Sequence, residues 1–104
     1  MKEAKMKMEG GSLFVYITCE IDHHTAKKIR ESVDTELARA MPKELIFDFS
    51  GVGFMDSSGI GLILGRLEKA QSVGATLVVR GLSPTLRKLV RISGIEKLKS
   101  LSVI

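Results

Sequence analysis

Two short clusters in this sequence hold residue types that do chemistry. One is Asp56-Ser57-Ser58-Gly59, where two hydroxyls follow a carboxylate. The other is Asp22-His23-His24, which contains both histidines of the chain. A serine beside an acid can be a nucleophile, part of an anion site or a site of modification. A hydrolase elbow needs G-x-S-x-G, and the residues two before Ser57 and Ser58 are Met55 and Asp56, so both fail. No G-x-x-x-x-G-K-[ST] phosphate loop occurs, and Gly51-Val52-Gly53 lacks the third glycine of a dinucleotide fingerprint. The histidine pair suggests a metal site or a base. Adjacent residues do not share a strand face, and on a helix they point about 100° apart. A metal would also need further ligands, so none is assigned. His23 and His24 read as solvent-facing residues at a helix start, or as a partner-contact loop. Asp56 reads as a plain helix N-cap or as part of a modification site, and composition leaves both open.

Both clusters must be positioned by the elements around them. Lys5 to Glu9 alternates charge with Met, Gly10-Gly11 marks a turn, and Leu13 to Cys19 is rich in β-branched and aromatic residues. That pattern predicts a hairpin. Asp22 or Thr25 caps a helix whose apolar stripe is Ala26, Ile29, Val33, Leu37 and Ala40 or Met41. Lys27, Lys28, Arg30, Glu31, Asp34 and Glu36 fill its polar side, and Pro42 stops it. Leu45 to Phe49 is a central strand, and Val52 to Met55 a loop. A second helix runs from Ser57 to about Ser72. Ile60, Ile63, Leu64 and Leu67 are expected to face the sheet, with Leu62 projecting away and Gly59 and Gly61 leaving the outer side of the first turn open. Ala75 to Val79 is a buried strand. Ser83 caps a third helix with Pro84 at its first position, and Leu86, Leu89 and Val90 face inward. A short helical turn and a last strand near Leu101 to Ile104 follow.

Strands that alternate with helices imply right-handed crossovers and parallel pairing. The expected fold is α/β: a mixed, mainly parallel sheet of four to five strands with helices packed mainly on one face. The 104 residues make a single domain, 1–104, large enough to fold without a metal or disulfide. Cys19 is the only cysteine, which excludes a disulfide within the chain and suits a reducing cytoplasm. The first residues have no apolar core of a signal peptide, and no apolar run could span a membrane. The net charge of +4 is mild. Arg80, Arg87, Lys88 and Arg91 read as a solvated face. Phe14, Tyr16, Phe47, Phe49 and Phe54 read as strand or core residues rather than a stacking platform for nucleic acid.

The segments "EIDHHTA" (Glu20–Ala26), "FMDSSGIGLILGR" (Phe54–Arg66) and "LSPTLRKLVRISGI" (Leu82–Ile95) resemble the bacterial anti-sigma-factor antagonists, which are single STAS domains. The resemblance covers nearly the whole chain. It implies a regulator rather than an enzyme, with no cofactor. The unmodified antagonist would bind an anti-sigma factor that is also a serine kinase, and so release a sigma factor. The kinase would phosphorylate the first hydroxyl after the motif's Asp, here Ser57, and switch binding off. A PP2C-type phosphatase would reverse this. Asp56, Ser58 and Gly59 would complete the phosphosite loop, and Asp22, His23, His24, Met55, Gly61 and Leu62 would meet the partner. Neither direct nucleic-acid binding nor a membrane is implied. STAS domains also exist outside sigma control, as interaction or nucleotide-binding modules.

Overall fold

The computed structural model describes Lys2 to Ile104. Five strands form one sheet in chain order: β1 (Ala4–Glu9), β2 (Ser12–Ile17), β3 (Glu44–Asp48), β4 (Thr76–Arg80) and β5 (Leu101–Val103). β1 pairs antiparallel with β2 through Gly10-Gly11, both at positive φ, as a tight hairpin turn requires. The remaining pairs are parallel. Three helices make the crossovers: α1 (His23–Ala40), α2 (Ser57–Ser72) and α3 (Pro84–Ser93), the last followed by a 3-10 turn at Ile95–Lys97. Because the parallel strands are laid down in order, every crossover steps the same way. Crossovers of one hand stepping one way return on one face.

The register shows the covered face. Leu13, Leu45, Leu77 and Leu101 lie side by side, and Val15, Phe47 and Val79 form the next row. All are buried, and all join one core with Ile29, Val33, Leu37, Ile63, Leu67, Leu86 and Val90 of the helices. Each such side chain contributes roughly 1.5–3 kcal/mol by leaving water. The opposite face has no helix. Phe14, Tyr16, Val78 and Arg80 there are only half-buried. Phe14 and Tyr16 stack with ring centroids 6.1 Å apart, and the Arg80 guanidinium lies 5.3 Å from the Phe14 centroid while its Nε donates to Asp48 at 2.9 Å. Arg80 therefore does not belong to a solvated face with α3; it is tied down on the open side of the sheet.

Helix α2 departs from the expected orientation. Its buried residues are Gly59, Leu62, Ile63, Arg66, Leu67 and Ala70. Leu62 turns inward rather than away, and Leu64 is exposed. The inward stripe is one residue earlier than the one chosen by counting Ile60 and Leu64. The reason is α1: α2 packs against α1 as well as the sheet, so its buried arc is centred on the seam between them. Phe54, expected to be a core or strand residue, is 53% exposed in the loop before α2.

Candidate functional site

The two chemistry-bearing clusters meet at the C-terminal edge of the sheet. Ile21 and Met55 form a parallel bridge outside the named strands. The Ile21 N–H donates to the Phe54 carbonyl at 3.0 Å, and the Asp56 N–H donates to the Ile21 carbonyl at 3.1 Å. These two bonds hold the Asp22 loop against the Asp56 loop, and each loop opens directly into a helix. The result is two helix N-termini side by side, both capped by aspartate.

At α1 the Asp22 carboxylate accepts from the Thr25 N–H at 2.9 Å, while the Asp22 N–H donates back to Thr25 Oγ1 at 3.0 Å. This is a capping box closed by threonine. The backbone bond from Thr25 holds the Asp22 carboxyl below its usual range, so it stays ionised. At α2 the Asp56 carboxylate accepts from the Ser58 N–H at 2.7 Å. Asp56 is thus an N-cap in the plain structural sense, and that role leaves the adjacent serines free for another.

The serines are not equivalent. Ser57 is exposed at the first position of α2, and Ser58 is half-buried. Ser58 instead lines a groove of about 290 Å³ between α1 and α2, together with His23, Ala26, Lys27, Arg30, Gly61 and Leu62. The titratable lining is His23, Lys27 and Arg30, with no acid. Asp22, His23, His24 and Gly61 are exposed beside it. Met55 is 4% exposed and Leu62 likewise, so neither presents its side chain freely. Met55 fills the space under Gly59, where an added Cβ would overlap its Sδ and Cγ. Gly59 is therefore a packing glycine, not part of an open outer surface. Gly61 and Gly65 face open space.

One pair of residues escaped the sequence reading. Arg66 is 5% exposed, and its Nε lies 2.9 Å from Asp34 Oδ1 on α1. Arg66 Nε and Nη1 and Asp34 Oδ1 are all buried without an aligned hydrogen bond, so the contact is a charge pair and not a good bond. Burial pushes the Arg66 guanidinium down, Asp34 opposes that, and nearby Arg30 adds to it. The signal was present: Gly59, Leu62, Ile63, Arg66, Leu67 and Ala70 recur at spacings of three and four. The apolar stripe Ile60, Ile63, Leu64 and Leu67 does not contain Arg66, so counting apolar residues alone cannot find it. Burial pushes the half-buried Cys19 thiol up, away from the reactive thiolate form. Among the described residues no three His, Cys, Asp or Glu side chains are grouped to hold a metal ion.

The STAS domain family model matches residues 3–102. The chain belongs to the STAS domain family. An anti-sigma F factor antagonist of Lysinibacillus sphaericus is 36% identical over 76 residues, 73% of this chain and 65% of that protein. One from Paenibacillus polymyxa is 31% identical over 96 residues, 92% of this chain and 82% of that protein. Among solved structures, the anti-sigma factor antagonist SpoIIAA in its unphosphorylated form superposes with a TM-score of 0.82 at 28% identity, covering 97% of this chain and 87% of that one. The phosphorylated form of the Bacillus cell fate determinant SpoIIAA gives 0.74 at 28% identity, covering 97% and 90%. The five-stranded, mostly parallel sheet and three helices of this STAS domain match the fold of SpoIIAA.

Proposed function

We propose that this STAS domain is an anti-sigma-factor antagonist switched by phosphorylation of Ser57. The observation that carries the reading is the position of Ser57: an exposed hydroxyl in the first turn of α2, held beside the Asp22-His23-His24 loop by the Ile21–Met55 bridge. The names of the relatives and the likeness to SpoIIAA in both phosphorylation states support it.

The unmodified face, with Ser57, Gly61, Asp22, His23 and His24 outermost, binds an anti-sigma factor that is also a serine kinase. Met55 and Leu62 stand behind that face. The kinase transfers a phosphoryl group to Ser57, and a PP2C-type phosphatase removes it. The chain itself acts as a binding protein, inside the cytoplasm, and neither takes a cofactor nor turns over a substrate. The physics of the switch is local. Phosphate adds about −1.5 to −2 charge. The α2 N-terminus tolerates that charge in free protein because its dipole end is positive. In the complex the same charge lies beside Asp56 and is cut off from water, at a cost of several kcal/mol. About 4 kcal/mol is roughly a thousandfold in affinity.

The test is a pull-down followed by intact-mass analysis with ATP. Ser57→Ala is expected to capture the kinase and take up no phosphate, while Ser57→Asp loses capture. Phosphate arriving only at another residue, with Ser57→Asp binding as wild type does, would sink the assignment.

A further inference from the structure

The chain's +4 is not spread evenly. Residues 84–104 hold five of the 16 cations, Arg87, Lys88, Arg91, Lys97 and Lys99, but only one of the 12 acids, Glu96. This last stretch alone therefore accounts for the net charge, and the rest of the chain is balanced. Among the described residues none of these five cations is in an ion pair. Arg87 turns its Nη2 to the Ile104 carbonyl at 3.0 Å, which leaves Lys88, Arg91, Lys97 and Lys99 pointing into solvent.

Apolar side chains sit among them. Ile92 is 73% exposed, the most exposed large hydrophobic side chain among the described residues, and Leu98 is 42% exposed. Lys88, Arg91 and Ile92 are three and four apart, so they share the outer side of α3. Leu86 and Val90 already anchor α3 to the core, so packing gives Ile92 no task. Leu98 falls between Lys97 and Lys99 just after the 3-10 turn, which packs against α3.

The patch lies away from the proposed partner face. α2 begins at Ser57, at the edge where β3 ends. α3 runs back across the sheet, so Arg91, Ile92 and Lys97 to Lys99 lie near the opposite edge, where β5 starts with Leu101 paired to Leu77.

We propose that this patch seats the protein peripherally on an anionic lipid surface. Lys88, Arg91, Lys97 and Lys99 meet the headgroups, and Ile92 and Leu98 enter the interface. Clustered cations are drawn to an anionic leaflet, and apolar side chains between them reach the boundary of the acyl chains. Nucleic acid is a poorer fit: residues 84–104 contain no aromatic side chain to stack on a base, and the centre of the patch is aliphatic. No helix among the described residues is long and apolar enough to cross a membrane, and surface seating needs none. The Ser57 edge would face away from the lipid and stay open, so the inference does not depend on the function proposed above.

The experiment is co-sedimentation of the full chain with vesicles, half phosphatidylglycerol and half phosphatidylcholine, against vesicles of phosphatidylcholine alone. Binding is expected only to the first, and it should fall as salt rises. Each cation removed should weaken it by roughly fivefold. Lys88→Glu with Arg91→Glu should abolish it, Ile92→Ser should weaken it at unchanged charge, and Lys5→Glu on β1 should change it little. Circular dichroism checks that the variants remain folded. Absence of binding to anionic vesicles at low salt overturns the proposal. So does a Lys5→Glu loss equal to that of Lys88→Glu, which would reduce the effect to net charge. Tighter binding to duplex DNA than to the anionic vesicles would also overturn it.

Discussion

Helix α2 has an inner and an outer side, and the same residue type does opposite things on them. On the inner side Gly59, Leu62, Ile63, Arg66, Leu67 and Ala70 are buried against the sheet and α1. On the outer side Ser57, Gly61, Leu64 and Glu68 meet solvent. A glycine in a helix costs roughly 0.5–1 kcal/mol relative to alanine. At Gly59 packing explains the cost, because any side chain would run into Met55. At Gly61, two residues on, there is open space and no structural reason for glycine. A feature that costs stability and serves no packing is where function should be sought.

The largest effect should come from the buried charge on the inner side. Asp34→Ala leaves the Arg66 guanidinium buried, facing Arg30, with only the more distant influence of Glu68 against it. The expected loss is about 3 kcal/mol in urea unfolding, the low end for a broken buried pair because Asp34 is partly exposed. Arg66→Met removes the more deeply buried charge and leaves Asp34, which is partly exposed and can turn toward water, so it should cost less, about 1–2 kcal/mol. If Arg66→Met proved the more damaging of the two, the pair would be stabilising and the contrast between the sides would need redrawing.

Gly59→Ala comes next. The new methyl displaces the buried Met55 side chain, whose backbone the Ile21 bridge holds in place. Overpacking of this kind costs roughly 1–3 kcal/mol. A melting scan should show a drop of about 4–8 °C per kcal/mol for a domain of this size. An unchanged melting temperature would mean that Met55 relaxes freely, and that Gly59 is as unconstrained as Gly61.

The contrast itself was half visible in the residues. The element order, the hairpin and the caps Asp56 and Ser83 followed from local chemistry, which narrowed the α1 cap to Asp22 or Thr25; the single covered face was expected from the small number of helices and the family resemblance. What was not legible was the rotation of α2 about its axis. Periodicity gives the width of a buried arc but not its centre when Ile60, Leu62, Ile63, Leu64 and Leu67 are all apolar. The centre is set by α1, a long-range contact. Phe54 was misplaced for a related reason: an aromatic in a loop has no period to read. The adjacency of the two site loops rests on the Ile21–Met55 bridge between segments 34 residues apart, which local pattern cannot show.

The sheet repeats the contrast between covered and open sides. On its helix-free face Asp48 accepts from the Ser50 N–H at 2.8 Å and from Arg80 Nε at 2.9 Å. Burial pushes its carboxyl up, but these bonds outweigh that and hold it below the usual range. A carboxyl depressed in the folded state adds stability that is fully present above its unfolded value, about 3.9, and is lost as pH falls through the folded value. Asp48→Asn should therefore cost about 1 kcal/mol at neutral pH. It should also lose less stability than wild type on acidification below about pH 4. Parallel acid profiles for the two proteins would show that Asp48 does not titrate in this way.

The smallest effect tests the outer side directly, because stability and binding are expected to move in opposite directions. Gly61→Ala adds a methyl to open space at a helical position, so the fold should gain roughly 0.5–1 kcal/mol. The same methyl stands in the groove beside Ser58 and Lys27, where the proposed partner would approach. Capture of the proposed kinase partner should fall even as the melting temperature rises. Gly65→Ala is the control, since Gly65 also faces open space but does not line that groove. It should gain the same stability and keep its partner. Equal binding losses from the two substitutions would extend the contact along the whole outer side of α2. No loss from either would leave Gly61 without a reason.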